Sequence, residues 1–174
     1  IAMRMNFVGE LGWELHHPIE YQNHIFDNLM KAGEEFDVKP FGIRAMDSLR
    51  IEKTYKLVGT EMSIEYAAFE SGLDRFVHLN KGNFIGRDAL VKWQQEGFDN
   101  KMVTLEVHDI NDADPLGHNA IYKDGDVIGR ATGGTYGFRV TKSLAIAMVK
   151  PEFSNVGKEL EMDILAKKHN VTVI

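Results

Sequence analysis

The sequence has no cysteine among its 174 residues. That excludes a disulfide framework, a zinc ribbon, a thiol nucleophile and a cysteine-ligated iron–sulfur cluster. No apolar run approaches the roughly 18 residues needed to cross a bilayer. No charged stretch followed by an apolar core reads as a signal peptide. An excess of positive charge is also missing. Twenty basic against 26 acidic side chains give a formal charge of −6, which argues against nonspecific binding to nucleic acid or to an anionic membrane. What is present, 44% hydrophobic and 26% charged residues, is the composition of a soluble globular protein with one large domain or two small ones.

Several chemical motifs are missing too. The histidines His16, His17, His24, His78, His108, His118 and His169 form no His-x-x-x-His pair and no repeated cluster with carboxylates, so they read as solvated or capping residues rather than metal ligands. Gly-x-Ser-x-Gly is absent, so no serine sits in a nucleophile elbow. Gly129, Gly133, Gly134 and Gly137 are followed by no P-loop lysine. They are expected to be kinks between β-strands. The chain begins at Ile1 without an initiator methionine and ends in the β-branched run Val171-Thr172-Val173-Ile174 with no turn signal. Both ends read as cut from a longer protein.

Periodicity divides the chain. Met3, Met5 and Phe7 alternate, Gly9 and Gly12 turn the chain, and Trp13 to His16 resumes as a short strand, which predicts a hairpin or bulged strand pair. Tyr21, Ile25, Phe26, Leu29 and Met30 fall at helical spacing, with Gly33 placed as a C-cap. After the break at Pro40-Phe41-Gly42, a second helix carries Ile43, Met46, Leu49 and Ile51 on its apolar stripe. Asp47, Arg50 and Lys53 lie outside that stripe. A loop-rich middle, bracketed by Leu57-Val58-Gly59 and Ser71-Gly72-Leu73, leads to a third helix, Asp88 to Glu96, closed by Gly97. From Lys101 onward, short apolar runs alternate with turns. Lys123-Asp124-Gly125-Asp126 is a hairpin signature, and about six strands in a sandwich or small barrel are expected. The boundary falls near Phe98 to Lys101, giving segments 1–98 and 99–174.

The stretch Phe7-Val8-Gly9-Glu10-Leu11-Gly12-Trp13-Glu14 carries the most information. Its two glycines make a turn, with Glu10 in solvent. Glu14, among large apolar neighbours on a strand, needs a donor partner, either a protein cation or a ligand with paired N–H groups.

This stretch resembles the aromatic-x-Gly-Glu-x-Gly-aromatic-Glu signature of the folate-binding domain shared by the glycine-cleavage aminomethyltransferase and by the C-terminal half of dimethylglycine and sarcosine dehydrogenases. Ala45-Met46-Asp47-Ser48-Leu49-Arg50-Ile51-Glu52-Lys53, Phe69-Glu70-Ser71-Gly72-Leu73 and Phe84-Ile85-Gly86-Arg87-Asp88-Ala89-Leu90 are similar to three further motifs of that family, in the same order. Gly-Glu-Leu-Gly-Trp-Glu with Ile51-Glu52-Lys53 leans toward the dehydrogenase branch. The resemblance implies an α+β fold: part of the folate-binding domain (1–98), followed by a six-stranded C-terminal β-barrel (99–174).

It also implies a ligand, tetrahydrofolate. Glu14 would accept hydrogen bonds from the amino-amide edge of the pterin, Phe7 would lie close to its ring, and Tyr55 would add a second aromatic contact. Flavin adenine dinucleotide would belong only to a domain outside this chain. Many relatives have tyrosine where Phe7 stands, and aminomethyltransferases have a folate-contacting arginine where Met46 stands, with Arg44 on another helix face. The family's catalytic aspartate precedes the signature, so no catalytic residue is assigned here, and no methylene transfer is expected from these residues alone.

The expected function is the tetrahydrofolate-binding part of a one-carbon transfer enzyme whose partners are folate and a methylated amine or aminomethyl donor. Alternatives are a freestanding aminomethyltransferase, a folate-dependent demethylase and a non-catalytic folate-binding domain. A cytoplasmic or mitochondrial-matrix location and a homo-oligomer, favoured by uncovered apolar surface, complete the expectation.

Overall fold

The computed structural model describes residues 1–174. Six strands, β3 (Lys101–Val107), β4 (Ala120–Lys123), β5 (Asp126–Gly137), β6 (Lys142–Val149), β7 (Glu159–Ile164) and β8 (Lys167–Val173), close into a barrel in the order β3-β6-β5-β4-β7-β8. Every neighbouring pair is antiparallel. Side chains alternate faces along a strand, so Val103, Leu105 and Val107 of β3 point inward with Ala145, Ala147 and Val149 of β6 and Val171 and Val173 of β8. β6 is different because its apolar run is continuous. Its other face, Leu144 and Ile146, is covered by Ile51, and a strand buried on both sides has no use for alternation.

The turn between β4 and β5 follows its sequence signature. Asp124 (φ 52°) and Gly125 (φ 94°) both take left-handed backbone, and Lys123 pairs with Asp126, as a two-residue hairpin requires. The glycines from Gly129 to Gly137 do not lie between strands as expected. They sit inside β5, which is long and carries a bulge between Ala131 and Gly133. Close approach of neighbouring backbone selects two of them, Gly129 and Gly134. A Cβ at Gly129 would come 2.3 Å from Met148 O, and one at Gly134 would come 2.8 Å from Leu144 O.

The first half is built otherwise. β1 (Ala2–Met3) and β2 (Glu14–Leu15) form a two-residue antiparallel ladder. Helix α1 (Gln22–Gly33) follows, then α2 (Ile43–Glu52) and, after the loop-rich middle, α3 (Arg87–Glu96). Gly33 is the last residue of α1 rather than its left-handed cap. The chain runs on through a short 3₁₀ turn (Glu34–Phe36), and Asp37 takes the left-handed position at φ 52°. Gly33 is instead needed for contact, since a Cβ there would meet Val38 Cγ1 at 2.2 Å. No residue of α1 is buried, and its apolar stripe is covered only in part, at Ile25 and Met30.

The face of α2 also departs from its sequence pattern. Its buried residues are Ser48, Arg50 and Ile51, while Ile43 at the apolar end of the stripe is exposed. Ile51 packs on β6, and Ser48 Oγ donates to Tyr136 O of β5 at 2.7 Å. The helix is therefore docked on the barrel by one apolar contact and by polar ones. Its charged residue Arg50 turns inward because acceptors for it are waiting there.

Candidate functional site

The signature turn is shaped by Asn6. Its Oδ1 accepts from Val8 N (3.1 Å) and Gly9 N (2.8 Å), the side-chain-to-backbone closure that favours asparagine in turns. Gly9 has φ +70°, and a Cβ on it would come 2.3 Å from Lys53 Cγ. The turn therefore lies against the end of α2, and it carries Phe7 there. The Phe7 ring stacks on Tyr55, with centroids 6.2 Å apart and planes 22° apart. Two of the three residues expected at the site are thus brought together from positions far apart in sequence. Tyr55 is 38% exposed, so the pair presents an aromatic surface to solvent.

Tyr55 is held by its backbone. Immediately before it Thr54 adopts φ 55°, a conformation that β-branched residues rarely take and that costs about 1–3 kcal/mol. Thr54 Oγ1 lies 3.0 Å from Thr104 Oγ1 of β3. Tyr55 N donates to Arg50 O (2.9 Å), and Arg50 Nη1 donates back to Tyr55 O (2.9 Å). The same guanidinium donates from Nε to Asp47 Oδ1 (3.0 Å) and lies 6.0 Å from the centroid of the Phe7 ring. It also pairs with Glu61, 3.6 Å away. Glu61 has no exposed surface. Its carboxylate accepts from Leu57 N (2.8 Å), Thr60 Oγ1 (2.8 Å) and Thr132 Oγ1 of β5.

Arg50 and Glu61 were not legible as a pair. Asp47 and Arg50, three apart on a helix, do signal an ion pair. Nothing local marks Glu61, which sits in a turn and whose barrel partner is 71 positions away.

Glu14 is placed differently from expectation. It lies on β2, whose two residues are both exposed, and Trp13 beside it is exposed as well. The donor that a buried carboxylate would need is therefore not required. One oxygen pairs with His16 Nε2 at 3.1 Å, and the other has no protein partner. Glu10 is no solvated bystander either, because it pairs with Arg139 at the turn after β5. Arg139 N in turn donates to Glu52 Oε1 (2.9 Å).

Two further features surround this seam. Glu70 pins the middle loop to the start of β3, accepting from Ala67 N (2.8 Å), Asn100 N (3.0 Å) and Asn100 Nδ2 (3.1 Å). The Lys56 ammonium is held below the ordinary lysine value of 10.5 by burial first and by repulsion from Arg75 second, against attraction to Glu61 and Asp74. A cavity of about 510 Å³ opens elsewhere, beside Asp112, Asp114 and Tyr136 of the barrel. It includes neither residue of the aromatic pair.

Comparisons with known proteins bear on the family and the fold. Residues 1–81 match the family described as GCVT N-terminal domain, and residues 100–174 match the Glycine cleavage T-protein C-terminal barrel domain. The chain is 39% identical over 174 residues to mitochondrial dimethylglycine dehydrogenase of Mus musculus, covering 99% of this chain and 20% of that protein. It is 32% identical to an aminomethyltransferase of Thermoanaerobacter pseudethanolicus, covering 100% of this chain and 47% of that one. The crystal structure of glycine cleavage system aminomethyltransferase T from Bartonella henselae superposes with a TM-score of 0.88 at 24% identity, over 99% of this chain and 47% of that one. The chain thus spans a fifth to about half the length of these relatives. With both halves matched in order, the chain belongs to the glycine cleavage T-protein family.

Proposed function

We propose that this chain supplies the tetrahydrofolate-binding part of an enzyme that transfers a one-carbon unit from a methylated amine or an aminomethyl donor. Family membership supports a folate-dependent one-carbon role. The observation that carries the residue assignment is the Phe7–Tyr55 stack at the end of α2. A reduced pterin is flat and needs an apolar wall on its face and an acceptor on its amino-amide edge. Phe7 and Tyr55 provide the wall. Glu14, exposed and with one oxygen unpaired, provides the acceptor. These residues bind and orient; when bound, tetrahydrofolate supplies the amine that takes up the carbon unit. Correct placement of that amine is most of the catalytic task. Met46, where aminomethyltransferases carry an arginine, together with Ile51-Glu52-Lys53, favours the dehydrogenase branch.

Calorimetric titration with tetrahydrofolate tests the assignment. Charge-assisted hydrogen bonds from the pterin edge are worth about 1.5–3 kcal/mol each. Glu14→Gln keeps the shape but sets a donor against a donor. Affinity is expected to fall about 30- to 150-fold, or about 2–3 kcal/mol. Glu20→Gln, an exposed carboxylate outside the seam, serves as the control. Equal affinities for the parent chain and Glu14→Gln would remove Glu14 from the site.

A further inference from the structure

Burying an arginine and a glutamate together rarely stabilises a protein more than apolar residues of the same volume would. Arg50 and Glu61 are nonetheless almost completely enclosed, so what the pair holds in place becomes the question. It holds Tyr55. Both backbone hydrogen-bonding groups of that residue are engaged by Arg50, its N–H by the carbonyl and its carbonyl by the guanidinium. The reversal at Thr54 shows that local backbone preference does not put Tyr55 there. The guanidinium that grips Tyr55 also faces the Phe7 ring. On the other side, Glu61 is fixed by Thr132, which sits at the bulge of β5. Gly133, next along the bulge, lies beside the guanidinium: a Cβ there would sit 3.5 Å from Arg50 Nη2, at ordinary contact distance.

We infer that Arg50 is a positioning residue through which the barrel sets the aromatic wall: the bulge of β5 orients Glu61, Glu61 orients Arg50, and Arg50 fixes Tyr55 against Phe7. The role in ligand binding rests on the reading that Phe7 and Tyr55 form the folate wall; the mechanical linkage does not. A merely structural pair would lower stability when broken and leave the Tyr55 environment alone in any variant that still folds. The linkage instead makes Tyr55 respond to a change in the barrel that no hydrogen bond connects to it directly.

Fluorine NMR of the 174-residue chain labelled with fluorotyrosine separates these cases. Its five tyrosines give few resonances, and Tyr55→Phe identifies the relevant one. Thr132→Val keeps the shape and removes the donor to Glu61, whereas Thr132→Ser retains the hydroxyl. Arg50→Lys keeps the charge and removes the fork. Ile164→Val, in the barrel interior, is the control for general loosening. The Tyr55 resonance is expected to shift or broaden in Thr132→Val and Arg50→Lys, to return in Thr132→Ser, and to stay in Ile164→Val. Tetrahydrofolate affinity is expected to drop several-fold in the first two variants only. An unmoved Tyr55 resonance in Thr132→Val overturns the inference, and so does an equal change in Ile164→Val. If Arg50→Lys does not fold, the threonine pair decides. If the parent chain binds no tetrahydrofolate, the folate reading fails, and the resonances still decide the linkage.

Discussion

No residue before Ser48 is buried, whereas the barrel from Lys101 to Val173 holds all the buried hydrophobic side chains except Ile51 and Phe69. The two regions are held together by different physics. Leu105, Ile121, Met162 and Val171 of the barrel are fully enclosed, each contributing about 1.5–3 kcal/mol by removal from water. The first region relies on a two-residue ladder, an asparagine-closed turn and helical hydrogen bonds, and it leaves Trp13, Phe26, Leu29 and Phe41 in solvent. The Phe7–Tyr55 stack joins the two, with Phe7 on the weakly buried first region and Tyr55 held by buried Arg50. The difference explains why α2 is tied down by Ser48, Arg50 and Ile51: they carry the rigidity of the barrel to a segment that has little of its own.

The largest expected effect tests that contrast directly. Leu105→Ala should lower the stability of the chain by about 2–5 kcal/mol, by lost transfer energy plus a cavity. Leu29→Ala, half exposed on α1, should stay within about 0.5 kcal/mol. Urea denaturation of both variants measures this, and comparable losses would break the contrast.

A smaller effect sharpens it within the barrel. The β7–β8 turn places Leu165 (φ 52°) and Ala166 (φ 61°) in left-handed backbone, which costs about 1–2 kcal/mol per residue that has a Cβ. Ala166→Gly should therefore raise the thermal midpoint, by roughly 1 kcal/mol of relieved strain offset in part by the flexibility of glycine when unfolded. A lowered midpoint would mean that the turn is not strained.

The smallest effect concerns pH at the seam. The Lys56 pKa in the folded chain lies below 10.5, its ordinary value. Between the folded value and 10.5, the unfolded chain keeps a proton that the folded chain has lost. The cost of holding this charge in the fold is therefore full below that window and is relieved as pH rises through it, so stability rises there. Lys56→Met should flatten the alkaline part of a stability–pH curve, and an unchanged slope would contradict the assigned desolvation.

Legibility divided along the same line. The barrel could be read because period-two runs and Asp124-Gly125 are local signals, and the continuous run of β6 follows from cover on both faces. The Leu165-Ala166 turn could not, because neither residue advertises left-handed backbone. On α1, spacing identified an apolar face but does not say what covers one, and Phe26 and Leu29 on that face are exposed. At the candidate site, resemblance picked out Phe7 and Tyr55, and folding stacks them. Glu14 was expected on a half-buried strand and is exposed beside His16. Arg50 and Glu61 were missed because a buried charge is explained only by partners distant in sequence, above all Thr132.

The most direct test of the central claim is a tetrahydrofolate titration followed by amide proton–nitrogen NMR of the 174-residue chain, which reports weak binding residue by residue. The account expects shifts concentrated at Phe7, Glu14 and Tyr55 and their immediate neighbours, with the interior-facing residues of β3, β6 and β8 unmoved. Shifts confined to the barrel loop around Asp112 and Asp114, or no shifts at all, would contradict it.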